Sequence, residues 1–354
     1  MHARLRRQAV YRRLDGTVIV GDAALAKAIM TASGSSIGTR PAFWRTNNQI
    51  LDNDTQRELN KALGTRLREI DPCTLGAATA KDSRHFVGDL GIATVTAVAH
   101  QLDAVLTGGN VALQHIVNRF LTELFLPTIK LTISTRANQR LFKTLSFQAA
   151  SELSKVDDQP YGLTAKATAV MSDLERGELY LRRCAAVVSS LAVSLSWILW
   201  GLNWYNTPAH GRARERDSDG SWFAMECLRF WPVTWSHRRI ALEDAELIDE
   251  RLRPGDHIII STFTLNRDSN IWERPDSFEP IRWSTGASRA GALWNFGIGP
   301  GSCIARHFSI PFLKSFSRHA LAEPEKYSLQ YRHRSKPVAS TSFSPPASVF
   351  FKYQ

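Results

Sequence analysis

Trp294-Asn-Phe-Gly-Ile-Gly-Pro-Gly-Ser-Cys-Ile-Ala-Arg-His-Phe308 is the stretch on which the fold turns. Gly297, Gly299, Pro300 and Gly301 stand just before Cys303. Glycine carries turns with φ > 0 and proline withdraws a donor, so neither helix nor ladder strand suits this segment. The chain must curl tightly and deliver Cys303 near the start of the next helix. There, unpaired N–H groups and the positive dipole end favour a thiolate over a thiol. A thiolate in a glycine loop suits ligation of a large flat metal cofactor. A buried cysteine beside a Gly-rich turn is the plainer alternative, and a lone cysteine does not separate the two.

Haem iron held by a cysteine thiolate is one standard arrangement, and two upstream segments bear on it. Phe296-x-x-Gly299-x-x-x-Cys303-x-Ala305 resembles the haem-binding loop of cytochromes P450. Glu226-Cys-Leu-Arg229 resembles that family's Glu-x-x-Arg helix motif. Trp272-Glu-Arg-Pro275-Asp-Ser-Phe278-Glu-Pro280-Ile-Arg282 resembles its Pro-x-x-Phe-x-Pro-x-Arg segment. The three stand in the family's order and spacing, and in detail resemble fungal members most. The likeness is dense from Ser221 to Phe308, fair from Ala185 to Leu202 and thin before that. It implies a mainly α fold with small β-sheets (α+β), P450-like and incomplete. It also implies a single haem-binding monooxygenase domain over 1–354, poorly matched over 1–105 and best matched over 185–320.

The 354 residues suffice for a sizeable core. A hydrophobic share of 44% against 22% charged is ordinary globular composition, so disorder is not indicated. Cys73, Cys184, Cys227 and Cys303 show no paired spacing, which points to reduced thiols facing a cytosolic compartment. A net charge of +11 and pI near 9.7 suggest nucleic acid, an anionic membrane surface or an acidic protein. No Lys/Arg block with interleaved aromatics follows the Arg-rich opening, Arg4 to Arg13, so nucleic acid is not expected as a partner. The resemblance implies an acidic electron donor instead, NADPH-cytochrome P450 reductase or a similar protein, with Arg289, Arg306, Lys314 and Arg318 as candidate contacts. Scattered solvated charge is the alternative. The family's members of this kind work on the cytosolic face of the endoplasmic reticulum. This chain opens without an apolar signal or anchor. That leaves a truncated gene product or a cytoplasmic variant as the expectation, with a membrane surface still open as a partner.

Thr17–Val20 is a β-branched run, hence a strand, and Asp22 is placed to cap a helix over Ala23–Met30. Arg40–Arg45 reads as a turn, leading by the resemblance into a substrate-facing segment. Residues 50–90 look charged and irregular, and the early haem-contacting helix that the resemblance implies finds no place there; Arg84 and His85 are candidate haem-edge contacts against a plain surface role. Asn110 should begin an amphipathic helix through Leu113, Ile116, Val117, Phe120, Leu121 and Leu124, closed by Pro127. Another helix carries Leu141, Phe142, Leu145 and Leu153. Asp256–Ile260 reads as a strand after a Pro254-Gly255 turn. Pro311 should kink or end the helix after Cys303.

Cys184–Leu202 carries no charge. It is long enough to span a bilayer, but its serines and the following Asn203 favour a buried helix of a large protein. The resemblance places Ala185-Ala-Val-Val-Ser-Ser190 where the family's long helix usually carries an acid before hydroxyl residues, and Val188 takes the acid's place. Ser189 and Ser190 are the candidate catalytic hydroxyls, for dioxygen or a proton-relaying water; serines bonding back to helix carbonyls are the alternative. Asn206–Gly220 reads as a polar loop, and by the resemblance a deletion lies here.

Glu226 and Arg229, three apart, share a helix face. By resemblance they form a buried network with Arg282 that holds the cysteine loop. Arg239, or Arg238 beside it, would bind a haem propionate, since a guanidinium fork suits a carboxylate. Phe296, Gly299, Cys303 and Ala305 would line the cofactor, haem b (iron protoporphyrin IX), with Cys303 as axial ligand. The loop's usual basic propionate ligand is Gly301 here. The implied activity is oxidation of a lipophilic small molecule, of terpenoid, steroid or fatty acyl type, by dioxygen and reductase electrons. The rivals are a haem-thiolate isomerase or lyase, an impaired relic, or a non-catalytic interaction protein without haem.

Overall fold

Val18, Ile19 and Val20 are entirely buried, and around them the computed structural model sets its largest sheet. The structure describes residues 8–31, 37–39, 53–84, 88–125, 136–156, 171–205, 217, 220–248, 250–284, 293–327, 329–331, 338–339, 343–344 and 349–351. The fold is mainly helical with small sheets, as the sequence implied. The chain divides into two compact units, Met1–Pro41 with Trp222–Cys303, and Ala42–Ser221 with Ile304–Gln354.

In the first unit, β1 (Val10–Arg12), β2 (Val18–Val20) and β3 (Ile37–Thr39) join β4 (His237–Ala241) and β7 (His257–Ile260) in one sheet of order β1-β2-β7-β4-β3. Between β4 and β7, β5 (Ala245–Leu247) and β6 (Glu250–Leu252) form a separate antiparallel pair. The β2–β7 pairing is parallel, Val18 opposite Ile258, and the other ladders of the large sheet are antiparallel. Helix Ala23–Thr31 follows β2, and Asp22 caps it by accepting the Leu25 N–H at 2.7 Å. Ile29 and Met30 of this helix pack with Val18, Val20, Ile258 and Ile260. Each fully buried aliphatic side chain there contributes about 1.5–3 kcal/mol. Arg12 ties the sheet to the small hairpin, donating to Glu250 at 3.0 Å and Asp256 at 3.1 Å. Gly255 sits at φ 93 in the turn before β7.

The second unit is built on helix Asp173–Tyr205. By length and hydropathy this helix could cross a membrane, but 67% of its most apolar window is buried inside the protein, in keeping with a core helix. Leu179, Val188, Leu195 and Leu199 are wholly buried. Polar groups on it are satisfied locally: Tyr180 Oη donates to Leu106 O at 2.7 Å, Arg183 to Leu59 O at 2.9 Å, and Ser196 shares a 2.9 Å bond with Thr94. Helix Arg136–Leu153 approaches closely at Gly177, where a Cβ would strike the Ser146 carbonyl.

Residues 50–90 are not irregular. Helices Asn53–Arg68 and Pro72–Ser83 occupy much of this stretch. The first buries Leu59, Leu63 and Leu67, one residue per turn, and the second starts on an Asp71 cap with Pro72 in its first turn. Asn110 caps helix Val111–Arg119 as expected, and the chain then widens into a π-helical segment, Phe120–Phe125. Pro311 does not end its helix, which runs from Arg306 to Ala322. It falls early enough to forfeit only the bond to the His307 carbonyl. Arg40–Arg45, His85, Pro127, Arg289 and most of Asn206–Gly220 lie outside the described residues.

Candidate functional site

The cysteine loop begins as a turn, Trp294–Phe296, closed by the Gly297 N–H on the Trp294 carbonyl at 3.0 Å. Gly297 (φ 64) and Gly299 (φ 69) occupy the left-handed region, which a side chain would strain. Gly299 also lies hard against helix Ala23–Thr31: a Cβ there would stand 2.9 Å from the Met30 carbonyl oxygen. The Cys303 N–H then donates to the Phe296 carbonyl at 2.7 Å, closing the loop with Cys303 exposed and outside any disulfide. Phe296 is half-buried and Gly299 exposed.

Three side chains that the sequence did not single out fasten this loop. His237, on β4, hydrogen-bonds the Trp294 carbonyl through Nε2 at 2.8 Å. Burial holds its pKa below the ordinary histidine range, opposed by the Trp294 bond and reinforced by the charge of Arg239. A carbonyl only accepts, so bonding assigns the proton to Nε2. Asn266 accepts the Trp294 N–H at 3.0 Å and donates to Asn295 Oδ1 at 2.6 Å. Asn295 in turn donates to the Leu228 carbonyl at 2.8 Å. Nothing in local spacing announces these bonds, although Asn295 lies inside the quoted stretch.

Leu228 belongs to helix Ser221–Phe230, which carries the buried acid–arginine pair. Glu226 and Arg229 are both 0% exposed. Arg229 grips the carboxylate with a fork, Nε to Oε2 at 2.8 Å and Nη2 to Oε1 at 2.7 Å. Arg282 adds a contact at 3.1 Å, Trp283 Nε1 one at 2.9 Å and the Glu279 N–H one at 2.8 Å. The spare arginine donors go to carbonyls: Arg229 to Asn266, Pro275 and Ser277, Arg282 to Glu273, Arg274 and Ser277. The structure thus brings Glu226, Arg229 and Arg282 together and orders the segment 273–283 around them.

Arg239 is 8% exposed and donates from Nη1 to the Arg238 carbonyl at 2.9 Å. It has no acidic partner among the described residues, and burial alone holds its pKa below the usual arginine value. Its Nη2 lies 3.9 Å from where a Cβ on Gly301 would stand. Arg238, the neighbouring candidate, is exposed. A buried guanidinium without an anion is costly unless an acceptor is supplied. An incoming carboxylate beside Gly301 would supply it, which is the property needed to hold a carboxylate-bearing cofactor such as haem.

In the second unit, Val188 is buried, Ser189 half-buried and Ser190 exposed. Ser190 Oγ donates to the Ala186 carbonyl at 2.7 Å, and Ser194 and Ser196 bond back to helix carbonyls likewise. Ser189 makes no such bond among the described residues. Ala305 precedes helix Arg306–Ala322 as its N-cap residue. On that helix Arg318 is exposed, and Arg306 and Lys314 are half-buried. Arg84 pairs with Glu323 at 2.7 Å.

The sequence model described as cytochrome P450 matches residues 222–344, which include Glu226, Arg229, Arg282 and Cys303. Cyclooctatin synthase of Streptomyces melanosporofaciens is 32% identical over 123 residues, 34% of this chain and 25% of that protein. Cytochrome P450 3A12 of Canis lupus familiaris is 32% identical over 92 residues, 25% of this chain and 18% of that protein. The chain therefore spans a quarter or less of the length of these curated relatives. A mutant of P450 EryK in complex with erythromycin B superimposes with a TM-score of 0.72 at 16% identity, covering 99% of this chain and 94% of that one. P450BioI in complex with a hexadec-9Z-enoic acid-ligated acyl carrier protein gives 0.73 at 15% identity, covering 99% and 97%. These likenesses establish the fold. The relatives named here are bacterial and mammalian, so the fungal resemblance finds no support in them.

Proposed function

We propose that this chain, whose residues 222–344 match the cytochrome P450 model, is a haem-thiolate monooxygenase. The observation that carries the proposal is the buried Arg239 guanidinium, without an acidic partner among the described residues, beside Gly301 in the same loop system as the exposed Cys303 thiol. Cys303 Sγ would ligate the haem iron and Arg239 would hold a propionate of haem b; the exposed Arg238 is the lesser candidate. Phe296, Gly299 and Ala305 would line the cofactor. Glu226, Arg229 and Arg282 position the loop and take no part in chemistry. When bound, the haem supplies dioxygen activation, which thiolate donation favours. Ser189 Oγ is the remaining hydroxyl for proton relay, since Ser190 is bonded to the Ala186 carbonyl. We read 1–354 as one haem-binding domain fed by a reductase of the NADPH-dependent kind. The neighbours bound to erythromycin B and to a fatty acyl carrier protein support a lipophilic substrate of terpenoid, steroid or acyl type. The cytosolic face of the endoplasmic reticulum is the expected place, and the cytoplasm the alternative.

One observation favours a second reading. Val188 is buried where the family's long helix carries an acid, which suits a haem-thiolate isomerase or lyase, or an impaired enzyme, that consumes no dioxygen. The test is the carbon-monoxide difference spectrum of the reduced, haem-supplemented protein, followed by substrate-dependent oxygen uptake with reductase and NADPH. A red-shifted thiolate Soret band that Cys303→Ala abolishes is the expected result. The band without oxygen uptake transfers the assignment to the second reading. Failure to bind haem at all sinks both and leaves a non-catalytic interaction protein.

A further inference from the structure

We propose that His237 is a positioning residue for the cysteine loop, holding Cys303 in register with Arg239 on the same strand. This rests on the haem-thiolate reading above for its purpose, but not for its geometry. His237 and Arg239 lie two apart on β4, so their side chains leave the same face. Both are drawn to the loop, one at each end of it. His237 bonds Trp294 at the loop's beginning, and its Cε1 lies 3.5 Å from where a Cβ on Gly297 would stand; Arg239 approaches Gly301 at the other end.

The Trp294 carbonyl accepts two donors, the Gly297 N–H at 3.0 Å and His237 Nε2 at 2.8 Å. Its lone pairs are then both engaged. The amide of the same residue is held by Asn266 at 3.0 Å, so residue 294 is fixed on both sides of its backbone. The turn so fixed presents the Phe296 carbonyl, and that carbonyl accepts the Cys303 N–H at 2.7 Å. His237 therefore acts on the turn that sets the sulfur's place, without touching Cys303. An apolar side chain would fill this half-buried position at less desolvation cost, yet would leave one lone pair of Trp294 without its donor.

The test compares His237→Leu, which keeps bulk and loses the donor, with His237→Gln, whose amide can donate to the same carbonyl. In full-length, haem-loaded protein, the reduced carbon-monoxide complex reports the ratio of thiolate-ligated to thiolate-displaced haem at equal haem content. His237→Leu should lower that ratio about five-fold, the worth of one hydrogen bond, and His237→Gln should restore most of it. In haem-free protein, nitrogen NMR of the ring should show a neutral imidazole protonated at Nε2. Amide exchange at Gly297 and Cys303 should quicken about five-fold in His237→Leu. A His237→Leu protein with the wild-type ligation ratio and a lower melting temperature would reduce His237 to a packing residue and overturn the proposal. So would an Nδ1-protonated ring or unchanged exchange at Gly297 and Cys303. If wild-type protein binds no haem, the monooxygenase assignment falls, while the ring tautomer and amide exchange still decide for or against the clamp.

Discussion

Replacing Glu226 by alanine removes the acceptor of five hydrogen bonds at a site with no exposure to solvent. Burying an ion pair is poor evidence of net stability, but deleting one partner strands the other and costs about 3–5 kcal/mol. Here two guanidiniums are stranded, and the Trp283 indole N–H and the Glu279 amide lose their acceptor as well, at about 1–3 kcal/mol each. Both arginines keep carbonyl partners, which argues for the low end of every term. A loss of at least about 5 kcal/mol follows, comparable with the whole stability of a marginal fold. Urea unfolding followed by tryptophan fluorescence is the assay, because Trp272 and Trp283 pack against each other 5.2 Å apart beside the network. Glu226→Ala should show no cooperative transition, or a midpoint displaced to near-zero urea. Glu226→Gln, which keeps an acceptor oxygen and gives up the charge, should fall between it and wild type. A Glu226→Ala protein within about 1 kcal/mol of wild type would behave as a surface pair does and refute the reasoning.

Gly299→Ala should destabilise the protein by at least about 1–2 kcal/mol from the left-handed backbone alone, with the Met30 carbonyl contact adding to it. Gly16→Ala, equally left-handed but in open space, isolates the backbone contribution in thermal unfolding, and equal losses at the two positions would remove the Met30 contact from the account. Asp256 is held below the ordinary carboxylate range, chiefly by the Arg253 N–H and then by Arg12. A lowered folded value stabilises fully above the unfolded one, about 4, and is lost as pH falls through the folded value. The stability gap between wild type and Asp256→Asn should therefore be widest above about pH 5 and close toward about pH 3 in denaturant titrations. A gap that stays constant over that range would show that Asp256 titrates alike in both states.

Glu226 with Arg229 and the cysteine loop were legible because their residues stand at short, fixed separations, whereas Arg282, 56 positions on, was joined to them through the family resemblance alone. The clamps at His237 and Asn266 were not, since they join positions 57 and 28 apart and obey no period. Helix Asn53–Arg68 escaped notice because its apolar stripe is a single file of leucines among charges, a pattern that tertiary burial has to complete. The long core helix announced itself by lacking charge, yet the duties of its serines did not. Ser190, Ser194 and Ser196 face carbonyls of their own helix, and only coordinates separate such a hydroxyl from one turned toward a ligand.

The parallel pairing of Val18 with Ile258 sets a clock on biosynthesis. The first strands leave the ribosome about 240 residues ahead of the strand that completes their sheet. At about 5–20 residues per second, that is a wait of roughly 10 to 50 seconds. Meanwhile the nascent hairpin of β1 and β2 is too small to hold itself together in water. Its Val-Ile-Val edge stays open to stray pairing. A holding chaperone near the exit tunnel, or slower growth temperatures that weaken hydrophobic association, should therefore raise the yield of native chain more than refolding from denaturant does.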